Sequence, residues 1–306
     1  MIKVFGHYSP DTDATGSAII WAWYLNEHTG ADATPYVLGE LNKETEFVLA
    51  RFAVATPALL AGVVAGEQVA IVDTNNPQEL FENINDTVIV SIIDHHKLVG
   101  GLSTETPPTI TLRPLACTAT VLYDLIMEHE VALPTNIAGV ILSCILSDTL
   151  EFRSPTTTPH DKDVAEKLAS ELGIDIPTYA AEMFAAKSDV SDFTDSGLIK
   201  LDSKKFAVGD INLRVSVIET TNPESVLARK AGIVAAIETL VAEEADVDEV
   251  LFFVVDILKE EATVCTYNDR TKAIIEKSFG VAVEGDTEVL PGIVSRKKQI
   301  LPSLKV

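Results

Sequence analysis

Basic residues are scarce in this chain: 23 Lys and Arg stand against 46 Asp and Glu, a net charge of −23. A surface that acidic repels a nucleic-acid backbone and an anionic membrane, which argues against an extended groove for polyanions. It also makes one basic island conspicuous, Ser295-Arg296-Lys297-Lys298. Cysteine is nearly absent. Cys117, Cys144 and Cys265 are odd in number and have no paired metal spacing, so the expectation is a reducing cytoplasm and not a disulfide framework. No uncharged apolar run reaches the roughly 18 residues that would suggest a membrane span. The N-terminus shows neither the basic region and apolar core of a signal peptide nor a transit-peptide composition. There is no internal repeat and no low-complexity segment. What is present is a chain of 306 residues, 47% hydrophobic, enough for two domains or one large one.

Short apolar runs alternate with helical spacing along the first half. Residues 2–6, 35–38, 68–72 and 87–93 read as strands, and 10–13 as a loop. Helical stretches are expected between the strands, the clearest at 15–28, where Ile19, Ile20, Trp23 and Tyr24 recur at helical spacing and Gly30 is a stop. Further helices are expected at 117–130, at 136–146, and from Thr158-Pro159 to Gly173. That alternation predicts an α/β fold with a mostly parallel sheet, whose ligands bind beyond the carboxyl ends of the strands. Residues 187–197 (KSDVSDFTDSG) are rich in Ser and Asp and poor in apolar residues, the composition of a linker. Beyond them, strands at 212–218, 249–255 and 263–266, with helices near 224–243 and 271–279, predict a smaller second α/β domain. The expected division is 1–187, a linker at 188–197, and 198–306.

Four polar clusters follow or close apolar stretches: Gly6-His7 to Asp13, Val72-Asp73-Thr74, Asp94-His95-His96 and Ser147-Asp148-Thr149. If the strands are parallel, three of them emerge at one sheet edge. Crowded carboxylates repel, and burying them unpaired is costly, a conflict that divalent cations resolve. His7 and Asp11 can serve one metal and Asp13 another, with Asp73 a natural bridge and His95 and Asp148 completing the second. A set of carboxylates and imidazoles without thiolate suits manganese, cobalt or magnesium, with zinc possible. Two ions roughly 3.5–4 Å apart acidify a water held between them and orient it at a phosphorus atom. Arg296 and Lys297 are candidates for the positive charge the phosphoryl oxygens need. Each cluster alone has a plainer reading. Asp11 and Asp13 are good helix caps, Asp73 suits an Asx turn, and Arg296-Lys297-Lys298 suits a solvated loop. All four acidic clusters being caps at once is the poorer account.

Taken in order, these motifs resemble the family II inorganic pyrophosphatases, the manganese- or cobalt-dependent branch of the DHH phosphoesterase superfamily. The resemblance runs from Lys3 to the C-terminus and rests on Gly6-His7 to Asp13-Ala14, Val72-Asp73-Thr74, Asp94-His95-His96-Lys97, Ser147-Asp148-Thr149 with the following Ser154 to Thr158, and Ser295 to Gln299. It implies that His7, Asp11 and Asp73 bind a first metal, and that Asp13, Asp73, His95 and Asp148 bind a second. His96 would contact the phosphoryl group near the leaving oxygen. Lys204, Arg296 and Lys297 would grip pyrophosphate from the C-terminal domain. Lys204 is chosen over Lys205 because the family pattern there reads Asp, any residue, Lys, any residue, Phe.

The resemblance further implies two manganese or cobalt ions per active site, extra magnesium with the substrate, a site in a cleft between two domains, and a homodimer through the N-terminal domain. The activity expected is hydrolysis of pyrophosphate to two phosphates by a metal-bridging hydroxide, with closure about 188–197. No regulatory nucleotide module is expected. Alternatives are an exopolyphosphatase or another phosphoesterase of the superfamily, and a non-catalytic metal- or phosphate-binding sensor. The C-terminal Pro291 to Lys297 lacks the His that the nucleic-acid branches carry there.

Overall fold

The computed structural model describes residues 1–306, which divide into two compact units, Met1–Ala186 and Lys187–Val306. The first is built on six parallel strands. These are β1 (Ile2–Phe5), β2 (Ala33–Val37), β3 (Ala58–Leu59), β4 (Gln68–Val72), β5 (Val88–Asp94) and β6 (Thr109–Leu112). Their order in the sheet is β3-β2-β1-β4-β5-β6. The chain thus winds outward from β1 to β3, then restarts beside β1 and winds the other way. The point where direction reverses lies between β1 and β4, which pair with Phe5 opposite Ile71. Open α/β sheets bind ligands at that switch point.

Helices α1 (Thr12–Tyr24), α2 (Lys43–Arg51), α3 (Thr118–Met127), α4 (Thr135–Asp148), α5 (Pro159–Leu172) and α6 (Ile176–Lys187) complete this unit. Helix α1 is buried along most of its length because α4 packs against it closely. A Cβ on Gly16 would stand 2.3 Å from Cys144 Sγ, so only glycine admits that approach. Thr158 and Asp161 form a reciprocal capping box at the start of α5, and Gly173 ends it in the left-handed conformation that lacks a steric penalty only for glycine.

Several expectations change here. Residues 12 and 13 belong to α1 and not to the loop, because Asp11 supplies the cap one turn earlier than the apolar spacing suggested. No α-helix links β4 to β5. Two short 3₁₀ turns, Pro77–Glu79 and Ile84–Asp86, make that crossover. Leu80 and Ile84 bury their side chains under Val69, Ile71 and Ile89, so the connection still covers the sheet.

The second unit holds a mixed sheet in the order β11-β10-β9-β8-β7. Its strands are β7 (Ser203–Val208), β8 (Ile211–Thr220), β9 (Glu249–Asp256), β10 (Glu261–Cys265) and β11 (Thr287–Pro291). Only β8 and β9 pair in parallel. All of β9 is buried, because helices cover both faces of the sheet. Val250, Phe252 and Val254 face α7 (Asp195–Leu201), α8 (Pro223–Leu227) and α9 (Lys230–Glu243). Leu251, Phe253 and Val255 face α10 (Asp269–Phe279) and the C-terminal segment.

The Ser- and Asp-rich stretch 187–197 falls within this unit and is tied to its helices. Arg229 donates to the carbonyls of Val190 and Phe193 and to Asp195, and Ser188 pairs with Thr221. Asp195 opens α7, capped by Thr194. The helix expected over 224–243 is likewise two helices, broken at Ala228 and Arg229 where that clamp is made.

Candidate metal centre

Strand order alone gathers three of the four clusters, since β1, β4 and β5 are neighbours and each ends in one. Asp73, just past β4, adopts a left-handed backbone (φ 58°), uncommon for a non-glycine residue and typical of functional sites. Its N–H donates to the Ile93 carbonyl at 2.9 Å, and its side chain is buried. His7 Nε2 lies 3.4 Å from Oδ2, while His95 Nε2 lies 3.4 Å from Oδ1. One carboxylate therefore faces two imidazoles with a separate oxygen for each, the geometry asked of a bridging ligand. Asp11 Oδ2 is 3.9 Å from His7 Nε2, while its Oδ1 caps α1 by accepting from the Ala14 N–H at 2.9 Å. The cap and ligand readings of Asp11 are compatible, one per oxygen.

Asp13 is held by a different element. The N-terminus of α3 donates Thr118 N–H at 2.7 Å and Ala119 N–H at 3.0 Å to its two oxygens. Cys117 Sγ and Ser17 Oγ add further bonds at 3.0 Å. Thr118 Oγ1 also donates to Asp73 Oδ1 at 3.0 Å, so one residue ties both carboxylates together. Asp148, the last residue of α4, brings a carboxylate beside Asp13 and Cys117, with one ligand atom from each within 4.8 Å of the others. Potential ligand atoms also gather as His7, Asp11 and Asp73, and as Asp73, His95 and His96.

The two histidines of the DHH turn differ. His95 Nδ1 lies 3.0 Å from the Leu115 carbonyl, which can only accept, so that nitrogen carries a proton in either charge state and Nε2 is the atom turned to Asp73. His96 turns Nδ1 to Asp94 Oδ1 at 2.9 Å and is half exposed. Asp94 is fully buried and organises the turn. Its Oδ1 also accepts the N–H groups of His95 and His96, and its Oδ2 accepts from Asn75 Nδ2 at 2.6 Å. A cleft of about 440 Å³ opens beside His7 and His96, lined also by Tyr8, Ser9, Gln78 and Glu79.

The profile of the DHH family, N-terminal domain, matches residues 1–145, and the DHHA2 domain matches 181–306. A probable manganese-dependent inorganic pyrophosphatase of Deinococcus radiodurans is 39% identical over 310 residues, covering 100% of this chain and 98% of its own. One of the same description from an Exiguobacterium species is also 39% identical, covering 99% and 97%. The crystal structure of a putative family II inorganic pyrophosphatase from Methanococcus jannaschii matches with a TM-score of 0.63 at 35% identity, over 99% of this chain and 98% of the other. The chain belongs to the family II inorganic pyrophosphatases.

Asp11, Asp13, Asp73 and Asp148 bring four carboxylates to this site, a crowding of negative charge that divalent cations relieve. With no cation considered, the conflict appears as displaced proton affinities. Burial, then the charge of Asp73, pushes Asp13 up to about 7. Burial, then the charge of Asp13, pushes Asp148 well above the usual carboxylate range. For His7 and His95 burial acts to lower the pKa, but the hydrogen bond to Asp73 and the surrounding carboxylates overcome it, and both rise to about 9. Asp73 moves the other way: burial opposes its ionisation, but hydrogen bonds from both histidines hold it below the ordinary range. The donor set fits hard or borderline divalent ions. The Cys117 thiol beside Asp13 is raised well above its usual pKa, first by burial and then by the charge of Asp13, so it stays protonated and acts as a donor.

In the second unit, Lys205 is bound to Glu244 and Asp246 at 2.7 Å each. Side chains alternate along a strand, so Lys204 lies on the opposite face, with Phe206. Arg296 is bound to Asp202, and Lys297 is exposed in a turn held by Gln299, whose Oε1 accepts the N–H groups of Val294 and Ser295. Sequence reasoning missed Asp94, Asn75, Thr118 and Cys117 as members of the site. Asp94 was visible in its motif, but Thr118 lies 45 residues from Asp73, and no local spacing announces it.

Proposed function

We propose that the chain hydrolyses inorganic pyrophosphate to two orthophosphates. The observation that carries this reading is the Asp73 carboxylate between His7 and His95 at the switch point of a parallel sheet, with Asp13 and Asp148 beside it. His7, Asp11 and Asp73 would hold one divalent ion, and Asp13, Asp73, His95 and Asp148 the second. When bound, such a pair acidifies water and polarises phosphoryl oxygens.

The protein's own groups do the rest. The α3 N-terminus and Thr118 fix the ligand carboxylates, so little reorganisation accompanies the reaction. Asp94 holds His96 through Nδ1 and raises its pKa, chiefly through their hydrogen bond, which favours an imidazolium able to donate from Nε2 toward the leaving oxygen. Lys204, Arg296 and Lys297 supply positive charge to the phosphates.

The finer reading takes manganese or cobalt as the resident ions, with magnesium accompanying the substrate. It also takes a homodimer through the first unit, a cytoplasmic setting in keeping with three free buried cysteines, and no nucleic-acid or membrane partner. The test is phosphate release from pyrophosphate, tripolyphosphate and a short oligonucleotide, with manganese, cobalt, magnesium or chelator. Pyrophosphate is expected to be the preferred substrate, and chelation to abolish turnover. Activity indifferent to chelation rejects the reading, and preference for the longer phosphates points to an exopolyphosphatase.

A further inference from the structure

Arg296 does not hang free in the second unit. Its Nη1 donates to the Asp202 carbonyl at 2.9 Å and its Nη2 to Asp202 Oδ1 at 2.8 Å. One residue thus fills the notch between the two terminal nitrogens. Neither bond uses Nε, so the edge formed by Nε and a terminal nitrogen, the one suited to the bidentate grip that guanidinium makes on phosphate, is not taken up by Asp202.

The anchor itself is rigid. The Asp202 carbonyl also accepts the Val217 N–H at 2.9 Å, which joins it to the sheet where β7 begins to pair with β8. Asp202 ends α7 immediately before β7. By strand alternation it shares a face with Lys204 and Phe206, and Lys204 lies roughly 7 Å further along. Phe206 and Val208 pack against the cluster that contains Ile300 and Leu304, so this face carries the Arg296 segment. Ser203 and Lys205, on the other face, are occupied by Arg214 and by Glu244 and Asp246. The Asp202 side chain is 55% exposed while that of Arg296 is only 15% exposed, so the arginine is the covered, oriented partner.

We propose that Asp202 is a positioning residue. It holds the Arg296 guanidinium on the Lys204 face of β7, so that the two cations meet a phosphate without first being ordered. A free arginine must lose its rotamer freedom on binding, and one already clamped loses less. This inference rests on the reading of Arg296 as a substrate group.

The test is a double-mutant cycle on the metal-loaded full chain, with kcat and KM for pyrophosphate measured for the wild type, D202A, R296A and the double variant, and for D202N. D202A is expected to lower kcat/KM about tenfold, mostly through KM, and D202N to recover most of that loss because its amide oxygen still accepts. In the R296A background D202A is expected to cost less than twofold. Equal losses in both backgrounds, or none beside an intact Arg296, overturn the inference while leaving Arg296 in its role. An R296A protein with wild-type turnover removes Arg296 from the site and this inference with it. Thermal melting checks that each variant folds, and if D202A does not, D202S, whose shorter side chain withdraws the acceptor from Nη2, carries the same comparison in both backgrounds.

Discussion

Asp148 carries a carboxyl at the end of α4 whose neighbours include three other carboxylates. Its carboxyl sits beside Asp13 and near Asp73 and Asp11, and burial and those charges drive its pKa well upward. A group whose folded pKa is raised penalises the folded state once the pH exceeds its unfolded value near 3.8. At neutral pH, above that unfolded value, the cation-free protein bears such a cost. Asp148→Asn removes the charge and keeps the shape. The cation-free protein should therefore become more stable by about 1 kcal/mol, while manganese should stabilise the variant less than the wild type. Melting in chelator and in manganese measures both. A variant less stable than wild type in chelator would show that Asp148 is a structural acid and not a ligand held under strain.

At the scale of elements, the site depends on one helix end. The first turn of α3 presents N–H groups to Asp13 and a hydroxyl to Asp73, and Asp161 fixes the approach to that turn by accepting from the Ala116 N–H and the Thr120 hydroxyl. Groups behind metal ligands typically govern affinity by 10–100-fold. Thr118→Val should lower manganese affinity by about that factor in calorimetry without unfolding the protein, and Thr118→Ser should restore it. Unchanged affinity in the valine variant would make the hydroxyl incidental.

The same helix marks the limit of what the sequence discloses. Strands β4 and β5 were legible because they are short, β-branched and buried, and each ends in its polar cluster. Strands β6, β7 and β11 escaped notice because they are edge or near-edge strands with polar and charged residues, as in Ser203-Lys204-Lys205, where the apolar signal is diluted. After Asp148 come Leu150, Glu151 and Phe152, three successive non-glycine residues in the left-handed region, and no turn residue in the sequence announces them. They are held by local bonds across the turn, from the Phe152 N–H to Thr149 Oγ1 and from the Glu151 N–H to the Leu146 carbonyl.

The molecule as a whole divides its labour between two cores. The first unit encloses its own sheet with the cluster around Phe5, Ile71 and Ile92, and the second buries β9 between two helical layers. All six proposed metal ligands belong to the first unit, and the proposed cationic substrate groups Lys204, Arg296 and Lys297 to the second. Residues 1–186 and 187–306 should therefore each fold when expressed apart, and each should unfold cooperatively. Manganese should act on only one of them. A ligand at a hundred times its dissociation constant stabilises the native state by about 2.7 kcal/mol, which for a domain of this size raises the melting midpoint by roughly 5–10 °C. Scanning calorimetry on the two fragments should show that rise for the first and none for the second. A rise in the second fragment would place metal ligands among residues 187–306, and the absence of any rise in a folded first fragment would mean that the acidic and imidazole groups of the first unit are not by themselves a metal centre.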